Sequence, residues 1–241
     1  MKKYDLSLDG IPISVYLYED IALKRDAVRG FLTERGYAVI MYPSTLADIG
    51  VTCYDKNNFE PREPHIAVVA LSCFFRDVRG LPDISLEVEY LGKVYDMPVT
   101  GKGARFTVNF GKCKFLCAKT AEFNDGTEIS VDILDNGVAC IVAVCYDSEM
   151  FSREKLSRLS SLLGMSSNTP AVAVSFNGDI NLSTVGSIAY YDAISYAVVA
   201  LERHGITVPH GRLCARMGES VHSFVRYHGQ LEFYPNIKYL S

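Results

Sequence analysis

What this chain of 241 residues lacks narrows its chemistry first. It has no dense run of Lys and Arg, and its formal net charge is −4. It therefore carries no electrostatic footprint for nucleic acid. The basic start Met1-Lys2-Lys3 has no apolar segment behind it, so no secretory signal is expected. The longest apolar runs, such as Val138 to Cys145, fall far short of a membrane span. The seven cysteines include no C-x-x-C pair, and neither a zinc nor a redox motif is written in them. An odd, scattered set suits reduced thiols, which implies a cytoplasmic protein without a disulfide framework. Nor is Gly101-Lys102-Gly103 a phosphate-binding P-loop: its first glycine would have to stand at Asp96, and Gly103 replaces the Ser or Thr required after the lysine.

What is present is ordinary globular material, 49% hydrophobic and 22% charged, long enough for one domain or for two of about 120 residues. One pentapeptide occurs twice, as Ala67-Val68-Val69-Ala70-Leu71 and as Ala197-Val198-Val199-Ala200-Leu201. Each copy lies in a run that is apolar nearly all round, which predicts a helix buried on every side.

Other elements follow the same order around the two copies. Residues 4–17 alternate about Asp9-Gly10 and predict a hairpin. Asp20 opens an amphipathic helix that stops at Gly36, and strands follow at 37–42 and 50–54. A polar stretch, 55–63, leads to Pro64 and the first buried helix. Period-two strands then run from Ile84 through Leu116-Cys117, with a turn at Leu91-Gly92; Cys113 and Cys117, four apart, would share one strand face. In the second part, strands at 128–134 and 137–146 precede a helix capped by Ser152 and closed by Gly164. After a strand at 171–176, Ser187 or Asp192 caps the second buried helix. Strands are expected again at 206–208, 212–215, 221–227 and 231–234. This order predicts an α+β duplication into halves at 1–118 and 119–241, each a mostly antiparallel sheet or barrel around a central buried helix.

Two such halves resemble the diaminopimelate epimerase-like fold, which includes phenazine-biosynthesis-type isomerases and proline racemases. Three stretches carry local similarity: Tyr54-Asp55-Lys56-Asn57-Asn58-Phe59-Glu60, Asp135-Asn136-Gly137, and Ala197 to Leu201 with His204-Gly205. The resemblance implies a cofactor-independent racemase- or epimerase-like isomerase acting on a small amino-acid-like or carboxylate substrate at the cleft between the halves. A small-molecule substrate is the expected partner, a homodimer is allowed, and no metal or cofactor is expected. Members with two catalytic cysteines carry one at the start of each buried helix, where one thiol removes a proton and the other returns it to the opposite face. This chain has Pro64 and Tyr190 near those positions, so acid/base transfer without cysteine is expected.

The catalytic candidates are Glu60, as a single carboxylate base, with His65 and Asp192. Asn57, Asn58, Ser187 and Tyr190 are candidates for holding the substrate. Each has a plainer role available: a solvated loop glutamate, a locally bonded histidine, turn asparagines, N-caps, and a space-filling tyrosine. The alternative to an enzyme is a relative without catalysis, serving as a small-molecule-binding or structural protein.

Overall fold

The computed structural model describes residues 2–8, 11–17, 36–55, 60, 65–81, 84–99, 106–146, 152–186, 188–234 and 237–239. It contains two compact units, 1–106 with 234–241, and 107–233. Among the described residues no helix is long and apolar enough to cross a membrane.

The first unit holds β1 (Lys2–Leu8), β2 (Ile11–Leu17), β3 (Tyr37–Tyr42), β4 (Ile49–Asp55), α1 (His65–Asp77), β5 (Ile84–Tyr90), β6 (Lys93–Val99) and, from the C-terminus, β16 (Ile237–Tyr239). Its strands form one sheet in the order β16-β1-β2-β3-β4-β5-β6. The pairs β2–β3 and β4–β5 are parallel; the others are antiparallel. A parallel step needs a crossover connection, and α1 supplies the one between β4 and β5. Ile66, Ala67, Val69, Ala70, Leu71, Cys73 and Phe74 of α1 are all buried. The amphipathic helix expected between β2 and β3 falls outside the described residues.

The second unit holds β7 (Phe106–Asn109), a short 3-10 turn at Phe110–Lys112, β8 (Lys114–Glu122), β9 (Glu128–Asp135), β10 (Ala139–Val144), α2 (Arg153–Leu162), β11 (Ala171–Phe176), β12 (Ile180–Val185), α3 (Tyr190–Arg203), β13 (Gly211–Met217), β14 (Ser220–Tyr227) and β15 (Gln230–Phe233). Its sheet runs β7-β15-β14-β13-β12-β11-β10-β9-β8. From β9 to β14 the pairing alternates as it does from β1 to β6: antiparallel, parallel, antiparallel, parallel, antiparallel. This repeated order of pairing is the duplication, and it is more complete than any match between residues.

Packing in the second unit follows from alternation along its strands. Ile141, Ala143, Ala171 and Ala173 cluster with Leu156, Leu159 and Leu163 beneath α2. Their neighbours Cys140, Val142, Val172 and Val174 are buried on the other face, which α3 covers. Ser152 caps α2, its hydroxyl accepting from the Lys155 N–H at 3.2 Å. The helix closes at Gly164, whose φ of 65° only glycine adopts readily, with Met165 N–H bonded back to Ser160 O at 2.8 Å.

Four expectations change. The pentapeptide lies in both buried helices but out of register, beginning at the third residue of α1 and the eighth of α3. It records burial on all sides and not a residue-by-residue repeat. Residues 206–208 are not a strand. Gly205 N–H bonds to Glu202 O at 3.0 Å and Ile206 N–H to Leu201 O at 2.9 Å, so the apolar residue after the glycine closes α3. Cys113 precedes β8, and a bulge between Phe115 and Cys117 breaks the alternation that would put the two thiols on one face. The division expected at 118/119 falls inside β8, one continuous strand of the second sheet.

Candidate functional site

In the first unit the candidate chemistry gathers at β4 and the residues after it. Gly50 lies opposite Tyr42 in the β3–β4 register. A Cβ at Gly50 would come within 2.2 Å of the Tyr42 ring, so the missing side chain is what lets that ring lie across the strand. Thr52, next along the same face, hydrogen-bonds with Tyr42 and also donates to Glu60 Oε1 at 3.5 Å. Glu60 is half-buried.

The charge of Glu60 is felt by several neighbours. Burial, then the carboxylates of Glu89 and Glu60, raise the Tyr42 hydroxyl above its ordinary range. Burial, then Glu60 and Asp55, push the Cys53 thiol far up. Burial, Cys53 and Glu60 do the same to the fully buried Tyr90. Asp55 is itself buried, and Ser44 donates to Glu89 at 2.5 Å. Thr52 is thus the hydroxyl bonded to Glu60, while Tyr42, Cys53 and Tyr90 feel its charge. Tyr42, Thr52 and Tyr90 are absent from the sequence-derived candidates because only the pairing of β3, β4 and β5 brings them to one place. Gly50 facing an aromatic was the one local signal. His65 is the first residue of α1; Asn57 and Asn58 lie outside the described residues.

In the second unit the start of α3 differs from expectation. Its N-cap is Ala189, with no side-chain cap bond. Asp192 is the third helical residue, not a cap, and Ser187 lies outside the described residues. A half-buried carboxylate in a first turn is favoured by the exposed helix N–H groups. Its charge reaches inward, adding to burial and Cys113 in raising the Cys140 thiol, and to burial in raising the Tyr196 hydroxyl. Tyr196 donates to Val138 O at 2.5 Å and accepts from Asn136 N–H at 3.1 Å, which fastens the Asp135-Asn136-Gly137 turn against α3. Asp135 tightens that turn by accepting from Gly137 N–H at 2.7 Å.

Tyr190, the first residue of α3, is only 2% exposed. Its ring stacks on His222 at 4.0 Å and meets Tyr191 and Phe233 edge-on at 5.4 and 5.9 Å. The helix start is packed with aromatic rings. No cysteine occupies the first turn of α1 or of α3. Cys73 lies two turns into α1, where burial pushes its thiol up to about 11. At neutral pH that sulfur is a protonated, apolar-like core group.

No protein-family model matches the chain. No curated protein matches its sequence. Solved structures do match over nearly the full length. A phenazine biosynthesis PhzC/PhzF protein from Clostridium difficile (strain 630) superposes with a TM-score of 0.67 at 8% identity, covering 99% of this chain and 96% of that one. The chain has the diaminopimelate epimerase-like fold. A protein from Pseudomonas aeruginosa described as a predicted epimerase has this fold too, at a TM-score of 0.64 and 13% identity, covering 99% and 96% of the two chains. So does a hydroxyproline epimerase from Agrobacterium vitis with bound trans-4-hydroxy-L-proline, at 0.59 and 11%, covering 99% and 90%. Identities this low establish the fold alone.

Proposed function

We propose that the protein is a cofactor-independent isomerase that moves a proton on a small amino-acid-like or carboxylate substrate, with Glu60 as the transferring base. The observation that carries this reading is the setting of Glu60, a half-buried carboxylate that accepts from Thr52 and whose charge helps to raise the Tyr42 and Tyr90 hydroxyls. A carboxylate in such surroundings can take a proton from a carbon next to a carbonyl or carboxyl group and return it. One base suffices when the proton goes back to the same face of the substrate at a neighbouring carbon. Inverting a stereocentre requires a second donor on the opposite face, and His65, at the start of α1 in the same unit, is the residue proposed for that role. The structural neighbours named as epimerases, one of them holding an imino acid, support the substrate class.

A second reading has its own observation. Tyr190 and Tyr191 are buried at the start of α3, where related helices would meet a substrate carboxylate. This favours a relative that binds a small molecule without converting it. Deuterium uptake from D2O into a panel of amino acids, imino acids and small unsaturated carboxylates separates the two. Exchange that disappears in Glu60→Gln supports the isomerase. Saturable binding of a panel member without exchange supports the binding protein and contradicts the first reading.

A further inference from the structure

We propose that His210 and His228 form a binding site for one divalent transition-metal ion of the imidazole-preferring kind: nickel, zinc or copper(II). The sequence gives no hint of it, because the two histidines stand far apart with no ligand spacing around either. The second sheet brings them together. His210 immediately precedes β13, and His228 immediately follows β14. These strands are antiparallel with Gly211 opposite Arg226, so both side chains come from the same end of one strand pair. Both residues are exposed, and their ring centres are 5.0 Å apart at an interplanar angle of 52°.

That separation is one that a shared ion allows. A metal–nitrogen bond of about 2.0–2.1 Å, plus about 1.1 Å from nitrogen to ring centre, places each ring centre about 3.2 Å from the ion. Two imidazoles at a right angle then have centres about 4.5 Å apart, and at the tetrahedral angle about 5.2 Å apart. The observed 5.0 Å lies between these limits. The tilt also distinguishes this pair from a stacked one such as Tyr190 on His222, where the rings are 12° from parallel. The β13–β14 ladder, in register from Gly211 to Met217, fixes both backbones before an ion arrives. Little ordering is then left to oppose binding.

Among the described residues no group of three or more His, Cys, Asp or Glu side chains could hold a metal. Two imidazoles are therefore the described protein contribution, and the remaining coordination positions are open to water or a further ligand. Neither histidine belongs to the acid/base set proposed above, so this site stands or falls separately from that function.

Isothermal titration of the full chain with Ni²⁺ alone tests the site. Nickel is preferred as probe because it suits imidazole and, unlike copper(II), does not oxidise thiols. Wild type is expected to bind one ion per chain. His210→Ala and His228→Ala should each weaken that binding by at least about tenfold. His204→Ala, at the C-cap of α3 beside Asp132, should leave it unchanged. Both histidines are exposed, so neither substitution threatens folding. The proposal is overturned if wild type takes up no ion, or if removing both His210 and His228 leaves the affinity as it was. Equal loss on substituting His204 overturns it as well.

Discussion

Burial does more than neighbouring charge to set the chemistry of the cysteines. It is the largest influence on Cys73, Cys113 and Cys145, each pushed up to about 11, and it raises Cys53 and Cys140 further. At pH 8 a thiol titrating near 11 is thiolate about one part in a thousand, against roughly a tenth for an ordinary cysteine titrating near 9. Iodoacetamide should therefore alkylate these thiols about a hundredfold more slowly in the native chain than after denaturation, read residue by residue by mass spectrometry. The same shift makes stability depend on pH. A thiol raised in the folded state contributes stability that is complete below its unfolded value of about 9 and is lost as pH climbs toward about 11. Thermal unfolding midpoints should accordingly fall between pH 9 and 11. A flat profile across that range would mean that the thiols ionise without opening the core. The sequence already argued for reduced, unbridged cysteines. It could not say which of them are buried, because that depends on which strand face a helix covers.

At the scale of single elements, the signals that were readable are the local ones. Ser152 caps α2 as its position before the leucine repeat implied, and Ser152→Ala should lower stability by about 1 kcal/mol in urea denaturation, the cost of an orphaned N–H. The β5–β6 turn offers a test of opposite sign. Leu91 has φ of 50° and Gly92 of 72°, a pair of left-handed residues suited to Asn-Gly and not to leucine. Leu91→Asn should stabilise the chain by about 0.5–1 kcal/mol, measured the same way. Misreadings arose where a local pattern has two outcomes. An apolar residue after a helix-ending glycine can begin a strand or fold back onto the helix, and Ile206 folds back. The pentapeptide marks burial correctly in both helices and misplaces their register, since apolar composition carries no information about where a helix starts. Glu60 stood out because the family that the sequence resembles uses a glutamate just upstream of its first buried helix. Tyr42, Thr52 and Tyr90 did not, being joined to it only by strand pairing.

On the scale of the whole molecule, the order of elements was legible because each half repeats it, while the exchange of strands at the ends was not. β16, from the last residues, completes the first unit's sheet beside β1. Tyr239 on that strand donates to Asp77 at the end of α1, which also forms a paired contact with Arg76 at 2.6 Å. Its ring lies 5.9 Å from Tyr4. Removing residues 235–241 should therefore loosen the first unit selectively. Hydrogen exchange should quicken in β1 and at the end of α1, while the core beneath α2 keeps its protection. Uniform loss in both units would contradict this division.

The central claim, that a carboxylate has taken over proton transfer in a diaminopimelate epimerase-like fold, is tested most directly by deuterium incorporation from D2O, followed by NMR. Wild type and Glu60→Gln are compared over the same panel of amino acids, imino acids and unsaturated carboxylates. At least one compound should gain carbon-bound deuterium with wild type, and Glu60→Gln should slow that gain by about a hundredfold or more. Exchange that proceeds at the wild-type rate in Glu60→Gln, or no exchange with any compound, would contradict the claim.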